Sequence, residues 1–532
     1  MCNVGYKTPL AIISLSVIVS HFIVIDITDE MANNGLLFLS NITKAHTMCQ
    51  AASKHVRKVL YVNIKGSPES TSVASHIDSV NLDVRLMLKP SDTIKPIKTS
   101  QPIDLILYDS DLSKDIDKLK QTVTTVNNGY NIDLQHSSSK CLLFLECPLP
   151  TDKTKSEPLK TYEYVALGGT FDRLHNGHKI LLSQAAARAT KLVTVGVTDV
   201  NMIQSKKLWE LIEPVEVRMR EVLAFLNDIN PDLEYDIFPL RDLYGPTKDD
   251  PKYQLIIVSE ETLRGATKIN EKRTENGLKP MDVHVIGLAQ DSHPQHSREE
   301  EDKVSSSNHR MRLLGTMLKP PALNPKIPDW PYVIGLAGGI ASGKSNIAEK
   351  LKAKGAAIVN CDILAHELYK PGLPLNRTIA ESFDNVINET GEVDRRRLGQ
   401  IVFGDKEQLE KLNSIVWPSV VEEAQRRVRA FGQQGYKVVV MEAAVMVRAK
   451  WYKYCHQLWS VIIPREEAIK RLQKRNGLTE EEATQRIEAQ PSNLEQVAHA
   501  NIVFSPYWSY EYTQGQIDKA WQHLQENLAT RK

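Results

Sequence analysis

A chain of 532 residues is too long for a single hydrophobic core and implies roughly three or four domains. Its composition, 42% hydrophobic and 25% charged, is that of a soluble globular protein, and 66 Lys and Arg against 65 Asp and Glu leave a net charge of +1. That balance gives no support to a polyanion partner, although phosphate sites can be locally basic without moving the total. The six cysteines form no CxxC or zinc-like spacing, which favours a reduced intracellular compartment over a disulfide framework.

Within residues 1–30, the run Leu10 to Ile25, LAIISLSVIVSHFIVI, is the only strongly apolar stretch. It is short for a membrane span, which takes about 20 residues, and His21 interrupts it. Pro9 and the single Lys7 make a poor secretory n-region, and no arginine precedes Arg57, against a matrix transit peptide. A short membrane anchor and a buried strand remain, and the anchor is the preferred reading. Sparse flanking charges leave its orientation open.

Residues 31–160 read as a small α/β region of unassigned role. Val59–Ile64, Leu82–Leu88, Ile103–Tyr108 and Leu142–Leu145 have the apolar, β-branched character of strands, and Asp111–Val126 reads as a helix. There is no glycine-rich loop, histidine pair or nucleophile motif here. The polar, proline-punctuated stretch Pro148–Leu159 closes the region as a linker.

Residues 161–319 open with a strand, Tyr164–Leu167, then GGTFDRLHNGH from Gly168 to His178. A helix from Lys179 to about Thr190 and a strand at Leu192–Val197 follow. This is a βαβ unit and predicts a parallel sheet. His175 and His178 lie on one face at the mouth of the helix, beside its terminal amides, and Gly177 is read as leaving room for a phosphate. Such a pair can hydrogen-bond a phosphoryl group as negative charge builds in a transition state. A lone histidine is more often structural, but that reading leaves the glycines, Thr170 and the placement unexplained.

GGTFDRLHNGH resembles the HxGH signature of the nucleotidyltransferase superfamily, and specifically the phosphopantetheine adenylyltransferases. Val304-Ser305-Ser306-Ser307-Asn308-His309-Arg310 resembles the superfamily's second signature, ISSTxxR. The resemblance implies a Rossmann-like domain in which Gly168, Thr170, Ser305, Ser306, Ser307 and Arg310 bind nucleotide and His175 and His178 are catalytic. Two intervening stretches, Gln204–Arg218 and Val258–Ala266, are also similar to family segments. The former offers Lys206 or Lys207 to the acceptor phosphate, and one sequence does not choose between them. The latter offers a helix start suited to nucleotide contacts. The charged run Arg298–Lys303 reads as a solvated loop, and a helix over Asn308–Leu318 is expected to end the domain.

Residues 320–330, rich in proline, form a linker before residues 331–532. There an apolar strand, Tyr332–Ala337, runs into GGIASGKS, and Asn346–Lys354 reads as a helix. Strand, glycine-rich turn and helix bring backbone N–H groups and the helix dipole onto phosphate oxygens. Gly338, Gly339, Ile340, Ala341, Ser342 and Gly343 would form the cradle. Lys344 would reach the β- and γ-phosphates and Ser345 would sit on Mg²⁺, so this part of the chain binds a nucleoside triphosphate. Downstream, Ala356–Val359 reads as a strand and Ile363–Tyr369 as a helix that Asp362 could cap. Val438–Glu442 reads as a buried strand ending in an acid, and Glu466–Gln490 as two amphipathic helices turned at Asn476-Gly477.

This stretch is similar to the dephospho-coenzyme A kinases. The resemblance extends through Asn360-Cys361-Asp362, Tyr369–Pro374, Asp394-Arg395, Val402-Phe403-Gly404, Leu412-Asn413 and Trp417-Pro418. It implies Asp362 as base, Glu442 on Mg²⁺ directly or through water, and a lid whose arginines come from Arg471, Arg475 and Arg486. Arg475 and Arg486 are nearest the family pattern, the first as a catalytic clamp and the second toward substrate. Several positions depart from it: Asn360 replaces an acid, Trp417 stands where bacterial relatives often carry histidine, Glu442 where aspartate is common, and Arg448 and Lys450 where an acid and a glycine are expected.

The expected fold class is α/β: a Rossmann-like nucleotidyltransferase domain followed by a P-loop kinase domain, with a small N-terminal α/β region. The order resembles the bifunctional coenzyme A synthases. It implies adenylyl transfer from ATP to 4′-phosphopantetheine, then phosphorylation of the dephospho-coenzyme A ribose 3′-hydroxyl, with Mg²⁺ at work and no nucleic-acid partner. The implied compartment is the cytoplasm, with attachment to the mitochondrial outer membrane as the option the apolar segment leaves open. Competing readings are a membrane-tethered binding or scaffold protein with a degenerate kinase, and a cytidylyltransferase fused to a kinase.

Overall fold

The computed structural model describes residues 31–39, 45–64, 82–88, 99–109, 141–145 and 159–530, except 292, 294–296, 323, 326 and 403–404. The apolar run Leu10–Ile25, the helix expected at Asp111–Val126, most of the first linker and the pair Phe403-Gly404 lie outside the described residues. Among the described residues no helix is long and apolar enough to cross a membrane. The chain divides into two units. One comprises Met1–Lys206, Glu213–His296 and Glu301–Ser306; the other comprises Lys207–Ile212, Ser297–Glu300 and Ser307–Lys532.

The first unit holds two five-stranded parallel sheets. Strands β1 (Ala32–Leu39), β2 (Val56–Ile64), β3 (Asp83–Met87), β4 (Leu105–Asp109) and β5 (Cys141–Leu145) lie in the order β3-β2-β1-β4-β5. The second sheet has β6 (Tyr162–Gly169), β7 (Ala189–Thr198), β8 (Glu234–Leu240), β9 (Leu255–Ser259) and β10 (Asp282–Ile286) in the order β10-β9-β6-β7-β8. Both sheets are wound alike, outward from their first strand, so each has its topological switch point at that strand, the place where ligands bind in such folds. The second carries a phosphate-type loop at that point, between Gly169 and the helix Asn176–Arg188.

Strands β6 and β7 are near-continuous apolar runs, as expected of a sheet covered on both faces. Val165, Leu167, Val193, Val195 and Val197 are buried against Leu182, Ala185 and Phe225. Each such aliphatic side chain contributes about 1.5–3 kcal/mol by leaving water. The first sheet joins the second through the helix Val215–Ile229. Leu88 N–H donates to Ile229 O at 2.8 Å. The buried Asp228 carboxylate accepts from Tyr61 Oη at 3.2 Å, from Ser100 N and Oγ at 2.7 Å each, and from Arg85. The N-terminal region thus packs on a helix of the second sheet and not only through chain continuity.

The second unit is built on β11 (Tyr332–Gly338), β12 (Ala357–Asn360), β13 (Val438–Glu442), β14 (Gln457–Val461) and β15 (Ile502–Phe504), in the parallel order β12-β13-β11-β14-β15. Strand β11 is buried throughout, and its Ile334 and Leu336 pack with Ile347, Leu351, Trp459 and Phe504. The expected strand Val438–Glu442 occurs with those bounds. The two expected helices of the Glu466–Gln490 stretch are Arg465–Asn476 and Glu480–Glu488. Gly477, at φ 65°, ends the first, and the Thr479–Glu482 capping box starts the second.

Two expectations change. The helix placed at Asn308–Leu318 is Ser306–Leu313. Gly315 turns into the left-handed region at φ 78°, and its N–H leaves the helix to bond Val503 O at 2.9 Å. The charged run Arg298–Lys303 is not wholly solvated. Glu300 is buried, because the Arg312 guanidinium pairs with it through Nε at 2.8 Å and through a second nitrogen.

Candidate active sites

In the first unit β6 runs through Gly169, so Gly168 belongs to the strand. The chain then turns sharply through Phe171 and Arg173, both at φ 51°, before the helix Asn176–Arg188. His175 occupies the N-cap position, and its ring stacks on His178 with centroids 3.7 Å apart and planes at 21°. Phe171, fully buried, supports His178 from below at 5.3 Å. A Cβ on Gly177 would lie 3.3 Å from the His175 ring. A side chain at position 177 would therefore press on the His175 ring, so glycine there lets the ring sit close to the helix start.

The loop is held from below by Arg218, buried at the start of the helix Val215–Ile229. Its guanidinium donates to Thr170 O at 2.6 Å, Thr198 O at 2.9 Å and Glu213 O at 2.8 Å. Thr198 Oγ1 in turn reaches Thr170 Oγ1 at 3.2 Å. Ser306 Oγ donates to Asp172 O at 3.0 Å and lies 3.4 Å from His175 Nε2. The serine motif and the histidine motif, 131 residues apart, thus meet as the two signatures require. Ser305 is half-buried beside Ser306.

Lys206 and Lys207 are both exposed, so neither is singled out by burial. Arg310, expected to bind nucleotide, is buried in the second unit and gives Nε to Lys207 O at 2.9 Å and a terminal nitrogen to Ser307 Oγ at 3.4 Å. The Val258–Ala266 segment forms a capping box between Ser259 and Thr262 ahead of the helix Leu263–Glu275. Arg218 and Asp172 were not singled out from sequence. The signal was an arginine in an otherwise amphipathic helix start, indistinguishable there from a surface charge.

In the second unit the phosphate loop joins β11 to the helix Lys344–Ala353. Gly338 at φ 155°, Ala341 at φ 61° and Gly343 at φ 95° supply its turns, with Gly339 and Ile340 between the first two. Ser342 is buried with the loop. Lys344 Nζ donates to Gly338 O at 2.8 Å and Gly339 O at 3.2 Å. Burial pushes its ammonium down, while Asp362 and Glu442 act to keep it charged.

Ser345 Oγ donates to Glu442 Oε1 at 2.7 Å, and Asn360 Nδ2 donates to Glu442 Oε2 at 3.0 Å. A hydroxyl and a buried carboxylate in contact at the loop's end suit a hard divalent cation bound through oxygen. Asn360, not Asp362, caps the helix Cys361–Leu368, its Oδ1 accepting Ile363 N–H at 2.9 Å. That corrects the capping role considered for Asp362. The Asp362 carboxylate is instead held by Ala444 N–H, at 3.1 and 3.3 Å from its two oxygens.

Of the lid arginines, Arg471 is committed to Glu467, Ala341 O and Pro506 O. Arg475 is exposed and close enough to Lys344 to disfavour its charge, while Arg486 is exposed on the second lid helix. The remaining departures find local roles. Lys450 adopts φ 58°, the left-handed conformation glycine favours, and Arg448 donates to Ala489 O at 3.4 Å.

The dephospho-CoA kinase family model matches residues 332–506. A dephospho-CoA kinase of Carboxydothermus hydrogenoformans is 38% identical over 186 residues, covering 35% of this chain and 90% of that protein. The chain belongs to the dephospho-CoA kinase family. A second such kinase, of Syntrophus aciditrophicus, is 39% identical over 193 residues, covering 36% of this chain and 82% of its own. Upstream of the kinase domain, a cytidylyltransferase-like model matches residues 166–313. A phosphopantetheine adenylyltransferase of Saccharomyces cerevisiae is 40% identical over 198 residues, or 37% of this chain, which spans 61% of that relative's length.

Proposed function

We infer that the chain is a bifunctional enzyme of the last two steps of coenzyme A biosynthesis. The observation that carries this reading is the joint presence, in one chain, of the stacked His175–His178 pair at a sheet switch point and a dephospho-CoA kinase domain. The product of the first chemistry is the acceptor of the second.

In the first step a phosphate oxygen of 4′-phosphopantetheine attacks the α-phosphorus of ATP. The bond from that phosphorus to the β-phosphate's bridging oxygen breaks, and pyrophosphate leaves. The nucleophile is already ionised, so positioning and charge stabilisation suffice. His175 and His178 face the pentacoordinate phosphorus, Thr170 and the serines hold oxygens, and Arg218 fixes the loop that carries them. In the second step the ribose 3′-hydroxyl of dephospho-coenzyme A attacks the γ-phosphorus, its proton passes to Asp362, and ADP leaves. Lys344 and Arg475 balance the phosphate charge. Ser345 and Glu442 would hold Mg²⁺, directly or through water, and the ion supplies neutralisation of phosphate charge when bound.

The scaffold reading rests on Asn360, Arg448 and Lys450 as signs of decay. It is disfavoured because each has a partner or conformation consistent with a working site. The deciding experiment gives the full chain 4′-phosphopantetheine, ATP and Mg²⁺ and follows products by mass spectrometry. Coenzyme A is expected from wild type, dephospho-coenzyme A alone from Lys344→Ala, and neither from His178→Ala. Coenzyme A formation untouched by Lys344→Ala would sink the kinase assignment. We also propose that Leu10–Ile25 attaches a cytoplasmic enzyme to a membrane, the mitochondrial outer membrane being the candidate. Deleting Met1–Ile27 should release it with activity retained, and an unchanged membrane fraction would refute the attachment.

A further inference from the structure

Two nearby peptide groups of the phosphate loop are bonded to the lid, one through each of its two helical segments. Ile340 N–H donates to Gln490 Oε1 at 2.7 Å, and Gln490 lies just beyond the end of the helix Glu480–Glu488. Ala341 O accepts from Arg471 of the helix Arg465–Asn476 at 3.4 Å, and the same guanidinium is tied to Pro506 O at 2.8 Å and Glu467 at 2.7 Å. The side chains of Ile340 and Ala341 pack into the apolar cluster of Ile469, Leu472 and Ala483, which joins the lid helices to each other.

The gripped segment is also the strained one. Ala341 sits at φ 61°, where a residue with a Cβ is disfavoured by about 1–2 kcal/mol against the ordinary helical region. Such a conformation persists only where its surroundings over-determine it. Here those surroundings belong to the lid, not to the sheet. The carboxamide of Gln490 is oriented by its donor: only Oε1 can accept Ile340 N–H, so Nε2 points away from the loop amide.

We propose that Gln490 is a positioning residue that couples the lid to the phosphate loop, so that lid position and loop conformation change as one. Withdrawing the lid removes Gln490 from Ile340 N–H, frees Ala341 to relax and loosens the amides that follow it. Seating the lid restores the cradle and brings Arg475 toward the phosphates in the same motion. Phosphoryl transfer to an acceptor is thereby favoured over hydrolysis, because the cradle is complete only when the lid excludes water. The inference rests on the kinase reading of this site.

The test uses the full chain with Gln490→Met, which keeps length and shape but loses the acceptor, and Gln490→Glu, which keeps an oxygen for Ile340 N–H. Three quantities are read: hydrogen exchange at the Ile340 amide, phosphoryl transfer to dephospho-coenzyme A, and ATP hydrolysis without acceptor. Gln490→Met is expected to speed Ile340 exchange and to lower the ratio of transfer to hydrolysis by about tenfold, with the ATP KM nearly unchanged. Gln490→Glu is expected to restore both the protection and the ratio while raising the ATP KM, since its charge faces the phosphates. A Met variant with wild-type exchange and ratio, or a Glu variant as uncoupled as the Met variant, overturns the proposal. If wild type fails to phosphorylate dephospho-coenzyme A, the kinase reading falls, while exchange and hydrolysis still decide the role of Gln490.

Discussion

Asn360 and Glu442 are register partners on adjacent strands, β12 and β13, and are joined by Asn360 Nδ2 donating to Glu442 Oε2 at 3.0 Å. With Ser345 Oγ on the other oxygen, the buried carboxylate is satisfied by two neutral donors. An amide at this position is therefore complementary to glutamate in the β13 position, whereas a second carboxylate would face it. Asn360→Asp should keep the helix cap, because aspartate caps as well as asparagine. It should destabilise the metal-free chain by about 1–3 kcal/mol through loss of the donor and like-charge contact. Saturating Mg²⁺ should recover more stability in the variant than in wild type. Calorimetric unfolding with and without Mg²⁺ decides, and equal Mg²⁺ shifts in the two proteins would count against a cation at Ser345 and Glu442.

Lys450 marks a second departure with a measurable consequence. At φ 58° and ψ 27° it occupies the left-handed region without a side-chain cap. Glycine there removes a strain of about 1–2 kcal/mol but adds unfolded-state entropy of about 0.5–1 kcal/mol. Lys450→Gly should raise stability by up to about 1 kcal/mol and leave phosphoryl transfer near wild type. Chemical denaturation reads the first and steady-state kinetics the second; a loss of stability would mean that the Lys450 side chain does more than tolerate its backbone.

The parts legible in the sequence are those with a local physical signature. β-branched apolar runs gave β11 and β13, the glycine-rich turn gave the phosphate loop, and Asn476-Gly477 gave the lid's turn. What was not legible depends on contacts far apart in the chain. Arg218 reads as one more charge in a helix start until Thr170 O and Thr198 O are seen around it. Gln490 reads as the polar end of a solvated helix until Ile340 N–H, 150 residues earlier, is seen to meet it. The closeness of the His175 ring to Gly177 is likewise set by how that side chain folds, which no spacing encodes.

Glu210 should make stability depend on pH in a direction opposite to most carboxylates. Burial raises its carboxyl above the ordinary value of 4.5, opposed by the hydrogen bond from Asn493 Nδ2 at 2.9 Å. An acid whose folded pKa lies above its unfolded one lowers stability while ionised in both states, and the penalty fades as pH falls through the folded value. Glu210→Gln keeps an oxygen for Asn493 and removes the charge. It should raise the unfolding midpoint at neutral pH, with the gain shrinking as pH falls toward 4.5. A gain independent of pH would place its cause elsewhere than ionisation.

Asp228 carries the junction between the N-terminal sheet and the helix Val215–Ile229, and its removal should separate the stability of one from the other. Its carboxylate is buried and accepts from Tyr61, Arg85 and both donors of Ser100, all from the first sheet or its neighbouring chain. Arg85 is also held by Asp83 at 2.8 Å and donates to Ser100 Oγ at 2.9 Å, so it keeps two partners when Asp228 is lost. Asp228→Ala still removes, from a buried place, the carboxylate that Tyr61, Ser100 and Arg85 share, at a cost of about 3 kcal/mol. Asp228→Asn retains an acceptor and should lose less. Limited proteolysis should then cut residues 31–145 faster in the Ala variant, with fragments beginning near residue 159 surviving. Equal resistance of wild type and Asp228→Ala would mean that the apolar packing of Leu88 and its neighbours holds the N-terminal sheet in place without the buried carboxylate.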